Sequence, residues 1–430
     1  MMNSVKAYLF SAEQKDKYCL SPVQDSLSKY FSGVVSVSFD HICEGMAEFS
    51  VAECPVAVFS SLSAYDFAQF IRGGRPFISI GLEHGVAPFK GYTYNPRFLE
   101  YDCYISPTRM WAERLARMHP RYADKFSHVA YPRIDDLSVR TRRPWPDHQA
   151  WGGAPGEQRD LVILSWGVNF STLRRLPDRE GVVYLVHPSI WKQAAKTKLA
   201  RARIVVSDPD AAAALVSQAA RIYGDFSSMT LEAALLNKQT FMFVDRRFYG
   251  SNCDLAPEFF NRQHERFGYI EHTGFALPEA HVLDLERLHE ALEGKYPGPE
   301  AALPFWAPPG MLPDAAGDHG ERTAAMIAHV AAALWKEKRE LASMSPGLLA
   351  IKVVDAAYRE VLGRQPDYPA ALTHARNWLT NNAPRPAKTL GLYNTFAQSA
   401  EGRKRWEAGN FNLPELKLEP MAGDALKVAK

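Results

Sequence analysis

Val182-Val183-Tyr184-Leu185-Val186-His187-Pro188 is the stretch on which the reading turns. Five consecutive β-formers, apolar on both faces, mark a strand buried in a parallel sheet. Pro188 cannot continue the ladder and fixes the turn, so His187 is left at the sheet's carboxyl edge. Working outward, residues 161–165, 204–207, 219–223 and 241–244 are further strand candidates, and 209–216 and 230–237 are helix candidates. Strands that alternate with helices imply an open parallel α/β sheet. The same alternation fills the first part of the chain, with strands at 34–37, 56–59, 76–80, 103–106 and 128–131 and helices at 64–71 and 108–118.

Between the two patterns, residues 140–158 are rich in Pro, Gly, Trp and charge and read as a linker. Residues 297–313 form a proline-rich loop, a helix follows at 321–344, and 347–405 read as purely helical with breaks at 366–369 and 384–386. The expected fold is α/β: a Rossmann-like domain over 1–145, a second Rossmann-like domain over 155–340, and an all-helical module over 345–408.

Hydrophobic residues make up 47% and charged residues 23% of the chain, which suits a large globular core. A net charge of +2 argues against a general nucleic-acid binder, whose footprint is strongly basic. Basic clusters at Arg140, Arg142 and Arg143 and at Lys192, Lys196, Lys198, Arg201 and Arg203 read as a solvated surface or as a peripheral contact with an anionic membrane. Cys19, Cys43, Cys54, Cys103 and Cys253 are odd in number and contain no CxxC pair, so neither a disulfide framework nor a zinc site is suggested. The expected compartment is the cytoplasm, with peripheral attachment to the inner face of its membrane.

Open α/β sheets bind ligands beyond the carboxyl ends of their strands, so the polar residues found there are the candidates. His187 can donate to a phosphate oxygen; the alternative is a histidine satisfied in a tight turn. Ile222-Tyr223-Gly224-Asp225-Phe226-Ser227-Ser228 joins a strand to a helix N-terminus, where backbone N–H groups and the helix dipole favour an anion. Ser227 and Ser228 add hydroxyls and Gly224 allows close approach; ordinary capping by Asp225 or a serine is the competing reading. Glu232, one turn into that helix, suits either ribose hydroxyls or solvent. In the first half, Gly81-Leu82-Glu83-His84-Gly85 brings Glu83 and His84 to a strand end, where His84 suits a general base for an acceptor hydroxyl. Lys90, Tyr92 and Tyr94 follow on the acceptor side, and Arg133 is placed to counter phosphate charge or to pair with Asp135 or Asp136. No acidic cluster of the kind that holds a metal is evident, so metal-independent chemistry without a cofactor is expected.

Gly74-Arg75-Pro76 with His84-Gly85, Tyr104-Ile105-Ser106-Pro107, Tyr131-Pro132-Arg133-Ile134-Asp135, His187-Pro188, and Asp225-Phe226-Ser227-Ser228 with Leu235-Leu236-Asn237-Lys238 occur in one succession. In this order they resemble the CDP-glycerol glycerophosphotransferases, the glycerol-phosphate polymerases of teichoic acid and capsule. That resemblance implies a glycosyltransferase-B architecture and a transfer of glycerol phosphate, or a similar alditol phosphate, from a CDP-alditol with release of CMP. His84 would be the base. His187, Pro188, Gly224, Asp225, Ser227, Ser228 and Glu232 would form the nucleotide side, with Arg133 and Lys90 toward phosphate and acceptor. The implied partners are a cytidine nucleotide donor, a polysaccharide or lipid-linked acceptor and an envelope-assembly contact, with no nucleic acid. Where that family has His-Gly-Thr and Pro-Arg-Asn-Asp, this chain has His84-Gly85-Val86 and Pro132-Arg133-Ile134-Asp135.

The His-Pro and Ser-Ser pairs are also similar to those of bacterial sialyltransferases and of the Kdo transferases of capsule and lipopolysaccharide, which use CMP-sugars. Glu83-His84-Gly85 partly matches their acidic motif, and Phe248-Tyr249-Gly250 looks like the capsule Kdo enzymes. On that reading Glu83 or His84 acts at an anomeric carbon. Residues 357–367, with Ser399-Ala400-Glu401, resemble a small helical domain of unknown function in bacterial envelope proteins, which implies an accessory interaction module. A third reading is a non-catalytic binding scaffold.

Overall fold

A computed structural model of the chain describes residues 4–12, 14–38, 44–73, 75–86, 96–145, 151, 159–165, 170–225, 227–243, 282–283, 285–295, 317–381 and 385–408. The first domain runs β1 (Lys6–Ser11), α1 (Gln14–Leu27), β2 (Gly33–Ser38), α2 (Glu44–Val51), β3 (Val56–Phe59), α3 (Leu62–Arg72), β4 (Ile78–Leu82), β5 (Cys103–Ser106), α4 (Arg109–Met118), β6 (Phe126–His128) and α5 (Arg133–Thr141). Its strands are all parallel, in the order β2-β1-β3-β4-β5-β6. Alternate residues face opposite layers: Tyr8 and Phe10 join one apolar cluster, Ala7 and Leu9 the other.

The second domain runs β7 (Asp160–Leu164), α6 (Phe170–Leu173), β8 (Val182–Val186), α7 (Trp191–Ala194), β9 (Arg203–Val206), α8 (Pro209–Gln218), β10 (Arg221–Gly224), α9 (Ser228–Leu235), β11 (Thr240–Phe243), β12 (Val282–Leu283) and α10 (Leu285–Leu292). Its parallel order is β12-β11-β10-β7-β8-β9. Counted from its own first strand this is 3-2-1-4-5-6, the doubly wound dinucleotide-fold order, with its switch point between β7 and β10. The fold is therefore two Rossmann-like α/β domains, as expected of a glycosyltransferase-B architecture.

A buried carboxylate closes the switch point of each sheet. In the first, Asp16 on α1 accepts from the Ala12 amide (2.8 Å) and from the hydroxyls of Ser60 (2.7 Å) and Ser61 (3.2 Å), linking the ends of β1 and β3. In the second, Asp225 after β10 accepts from the Ser165 amide and, at 2.8 Å, from its hydroxyl, linking the end of β7.

Three expectations need correction. The strand read at 76–80 lies at Ile78–Leu82, because Ile78 to Ile80 pair with Val56 to Val58; Glu83 is then the first residue past the strand. The strand read at 128–131 lies at Phe126–His128, in register with Tyr104 to Ser106, and Tyr131 instead leads into α5. The helix read at 321–344 is α11 (His319–Ser343), and it packs on the first domain rather than the second. Ala324, Ile327 and Ala331 share a cluster with Leu20, Val23, Leu27, Val56 and Ile80. Its N-terminus is fixed by the Tyr131 amide donating to His319 Nδ1 (3.1 Å) and by Asp135 accepting from the Gly320 amide (2.8 Å). Lys338 pairs with Asp102 beside β5. The sequence reading also assigns no element before residue 34, although β1 is a central strand. Its helix α1 carries Pro22 and an acidic first turn, which obscure the apolar stripe Cys19, Leu20, Val23 and Leu27.

The helical module follows: α12 (Pro346–Ala357), a π-turn at Tyr358–Leu362, α13 (Tyr368–Thr380), α14 (Arg385–Gln398) and α15 (Ala400–Glu407) around Val354, Tyr358, Trp378 and Phe396. Arg364 grips Glu401 through two nitrogens, at 2.8 and 2.9 Å. Among the described residues no helix is long and apolar enough to cross a membrane.

The Asp102–Lys338 pair gives a stability prediction. Burial works against the Asp102 charge, but Lys338 and Lys125 more than offset it and lower its pKa. A depressed carboxyl stabilises fully above its unfolded value of about 3.9 and loses that contribution as pH falls through the folded value. Lys338→Ala is expected to cost about 3 kcal/mol at neutral pH. Below about pH 3 the gap from wild type narrows. Urea unfolding at both pH values reads this; a gap that widens in acid contradicts it.

Candidate functional site

The carboxyl edges of the two sheets meet where the loop after β4 reaches the N-terminus of α9. Glu83, 5% exposed, is the hub of the first-domain side. Its Oε1 accepts from the amides of His84 (2.9 Å) and Gly85 (3.2 Å), and its Oε2 from the Tyr104 hydroxyl (2.5 Å). His84 Nδ1 stands 3.0 Å from the same Oε1, with the His84 side chain 23% exposed. A carboxylate held by that many donors is fixed in place, and it selects the Nδ1–H tautomer of the imidazole. Nε2 is then the basic nitrogen. Glu83 orients; His84 is the member of the pair with surface to present.

Across from it, Ser227 caps α9, its hydroxyl accepting from the Thr230 amide at 3.2 Å. The Thr230 hydroxyl donates to the Asp225 carbonyl at 2.8 Å. Gly224 has a definite reason: a Cβ there would lie 2.0 Å from Thr230 Oγ1 and 2.8 Å from its Cβ. The glycine lets α9 seat on β10, as a helix-packing glycine does in dinucleotide folds. Gly85 is likewise constrained from the other domain, since a Cβ there would come within 2.5 Å of Ser228 Oγ. The structure thus brings His84-Gly85 and Ser227-Ser228, far apart in sequence, into contact.

His187 is exposed at the end of β8, with Nδ1 accepting from the Ser189 amide (3.1 Å) and paired with its hydroxyl (2.7 Å), while Pro188 opens a short 3₁₀ turn. It shares the carboxyl edge with Asp225 but lies two strands away, about 10 Å at ordinary strand spacing. Asp225 is buried and committed to Ser165, so it faces the sheet rather than a ligand. Glu232 and Arg133, read as ribose and phosphate contacts, hold each other instead: Arg133 Nε is 3.1 Å from Glu232 Oε1. Burial opposes the Arg133 charge, but Glu232 more than compensates and raises its pKa. Lys90, Tyr92, Tyr94 and the Phe248-Tyr249-Gly250 motif lie outside the described residues. No group of three or more potential metal ligands occurs among the described residues.

Sequence reasoning left out three side chains that build the site: Tyr104 on Glu83, Tyr131 on Glu232, and Ser165 on Asp225. Tyr104 and Tyr131 head two of the motifs in the succession quoted above, which was the available signal. Around Tyr131 the domain contact is apolar, with Leu231 and Leu235 of α9 in one cluster with Ile134 and Leu137 of α5. At its rim Arg140 pairs with Asp210 at 2.7 Å.

No protein-family model and no curated protein matches the sequence. Among solved structures, the chain is similar to S. aureus MnaA in its UDP co-structure, with 13% identity over 77% of this chain and 97% of that one and a TM-score of 0.49. It is similar to a UDP-GlcNAc 2-epimerase from Neisseria meningitidis bound to UDP-GlcNAc, with 12% identity over 77% and 99% and a TM-score of 0.47. It is also similar to the wall teichoic acid polymerase TagF, with 14% identity over 80% and 90% and a TM-score of 0.40.

The two glycines should respond differently. Gly224→Ala meets the Thr230 Cβ, which no rotamer removes, and is expected to destabilise by about 2–3 kcal/mol. Gly85→Ala meets only a serine hydroxyl that can rotate away, and should cost under about 1 kcal/mol. Thermal unfolding of both variants checks the contrast; equal losses contradict it.

Proposed function

We propose that this chain is a cytidine-nucleotide-dependent transferase of bacterial cell-envelope polysaccharide synthesis. It moves glycerol phosphate, or a similar alditol phosphate, from a CDP-alditol to an acceptor hydroxyl. The observation that carries the transferase reading is the oriented His84–Glu83 pair set against the capped N-terminus of α9. The succession of motifs from Gly74 to Lys238 supports the cytidine donor.

In this mechanism His84 Nε2 takes the proton of the acceptor hydroxyl, and Glu83 stabilises the imidazolium that forms. The acceptor oxygen attacks the distal phosphorus, the bond from that phosphorus to the bridging oxygen breaks, and CMP leaves. Charge that builds on the phosphates meets the first-turn N–H groups of α9, Ser228 and, from β8, His187. Phosphoryl transfer of this kind depends on positioning and electrostatics more than on covalent chemistry. Asp225, Gly224 and Glu232 contribute by setting α9 on its sheet and against the first domain.

CMP release from CDP-glycerol, CMP-Kdo and CMP-sialic acid, each with and without acceptor, tests the proposal. Release is expected with CDP-glycerol and is expected to persist in EDTA. Turnover confined to CMP-Kdo or CMP-sialic acid moves the function to a glycosyltransferase, and no release with any donor leaves a binding scaffold. His84→Ala should lower kcat by about 10²- to 10⁴-fold. His187→Ala should raise the donor KM about tenfold or more, the worth of one charge-assisted hydrogen bond.

A further inference from the structure

Beside the direct meeting of Gly85 with Ser228, α9 and the His84 loop are linked through Tyr131, which stands outside the reacting groups. Its hydroxyl donates to Glu232 Oε1 and also lies 3.3 Å from the carbonyl oxygen of His84. A phenol has one proton, so it cannot serve both acceptors fully. Glu232 is completely buried; its Oε1 also meets Arg133 Nε at 3.1 Å, and its second oxygen, Oε2, has no hydrogen-bond partner. A half-satisfied buried carboxylate is a poor brace; an apolar side chain would hold two domains together at lower cost. Beside its ion pair with Arg133, the carboxylate adds a strong claim on the Tyr131 proton, made only while α9 sits against α5. The Cys19 thiol approaches the other side of the same loop, 3.5 Å from the Glu83 carbonyl.

We propose that Tyr131 is a positioning residue for His84. Its single hydroxyl proton is shared between Glu232 of the second domain and the His84 carbonyl of the first. With the domains together, Glu232 takes the larger share and the His84 loop adopts the geometry seen here. With the domains apart, the proton turns to the His84 carbonyl and the loop resets. The base is thereby set by the arrival of the donor-side helix. This deepens the transferase reading and rests on it.

The test uses the full chain with Tyr131→Phe, which keeps the ring in its pocket, and Glu232→Gln, which keeps an acceptor but removes the charge. Arg140→Ala, which breaks a domain contact unconnected to His84, is the control. With CDP-glycerol, both site variants should lose about tenfold to a hundredfold in kcat, the scale of a misplaced reacting group. Donor KM should stay within about threefold, because ground-state binding is untouched. Without any donor, amide hydrogen exchange across residues 83–86 should quicken in both site variants and not in the control. Unchanged kcat in Tyr131→Phe, or equal effects in Arg140→Ala, overturns the proposal. If the wild type releases CMP from no donor, the transferase reading fails on its own. The exchange measurement still decides the coupling, and unchanged exchange refutes it.

Discussion

A parallel strand delivers whatever follows it to one edge of its sheet, and both sheets here are parallel throughout. Glu83, His84, His187, Ser227 and Ser228 obey that constraint. Glu83 and His84 follow β4, His187 follows β8, and the Asp225–Ser228 turn follows β10. Two such edges brought face to face place groups from distant parts of the chain within a few ångströms, without any long loop to carry them. The helices then have one remaining duty, to hold the edges at the right separation, and the apolar contact of α5 with α8 and α9 performs it.

Two kinds of buried polar group keep the edges rigid. Asp16 and Asp225 seal the points where each sheet reverses its winding, and each is satisfied by serine hydroxyls and a backbone amide. Glu83 is satisfied in the same manner by Tyr104 and two amides. Glu232 differs, since one of its oxygens lacks a partner. The first three act as fixed struts; the fourth reaches across the domain contact, to Tyr131 and Arg133 of the first domain.

Much of this was legible in the sequence because strands apolar on both faces announce themselves. Val182–Val186, Cys103–Ser106 and Val56–Phe59 fall where the pattern puts them. The polar residues just past them were legible for the same reason. What the sequence could not display is which of those residues face a neighbour. Asp225, Glu232 and Arg133 read as ligand contacts because their spacing is right, yet Ser165 just past β7 occupies Asp225, and Glu232 on α9 and Arg133 on α5 occupy each other. Such pairings are long-range, and no local pattern encodes them. The same holds for α11: its amphipathic stripe was visible, but the surface it covers lies more than two hundred residues earlier in the chain.

That placement of α11 bears on how the protein is made. The first sheet is complete once β6 has emerged, yet one of its apolar faces waits about 200 further residues for Ala324, Ile327 and Ala331. At ordinary rates of synthesis the delay is about 10 to 40 seconds. Through that interval the nascent first domain presents an oily face to solvent, and the second domain can close its own sheet meanwhile. The domain that begins folding first is therefore the last to finish, and its unfinished surface is where a chaperone would have reason to bind.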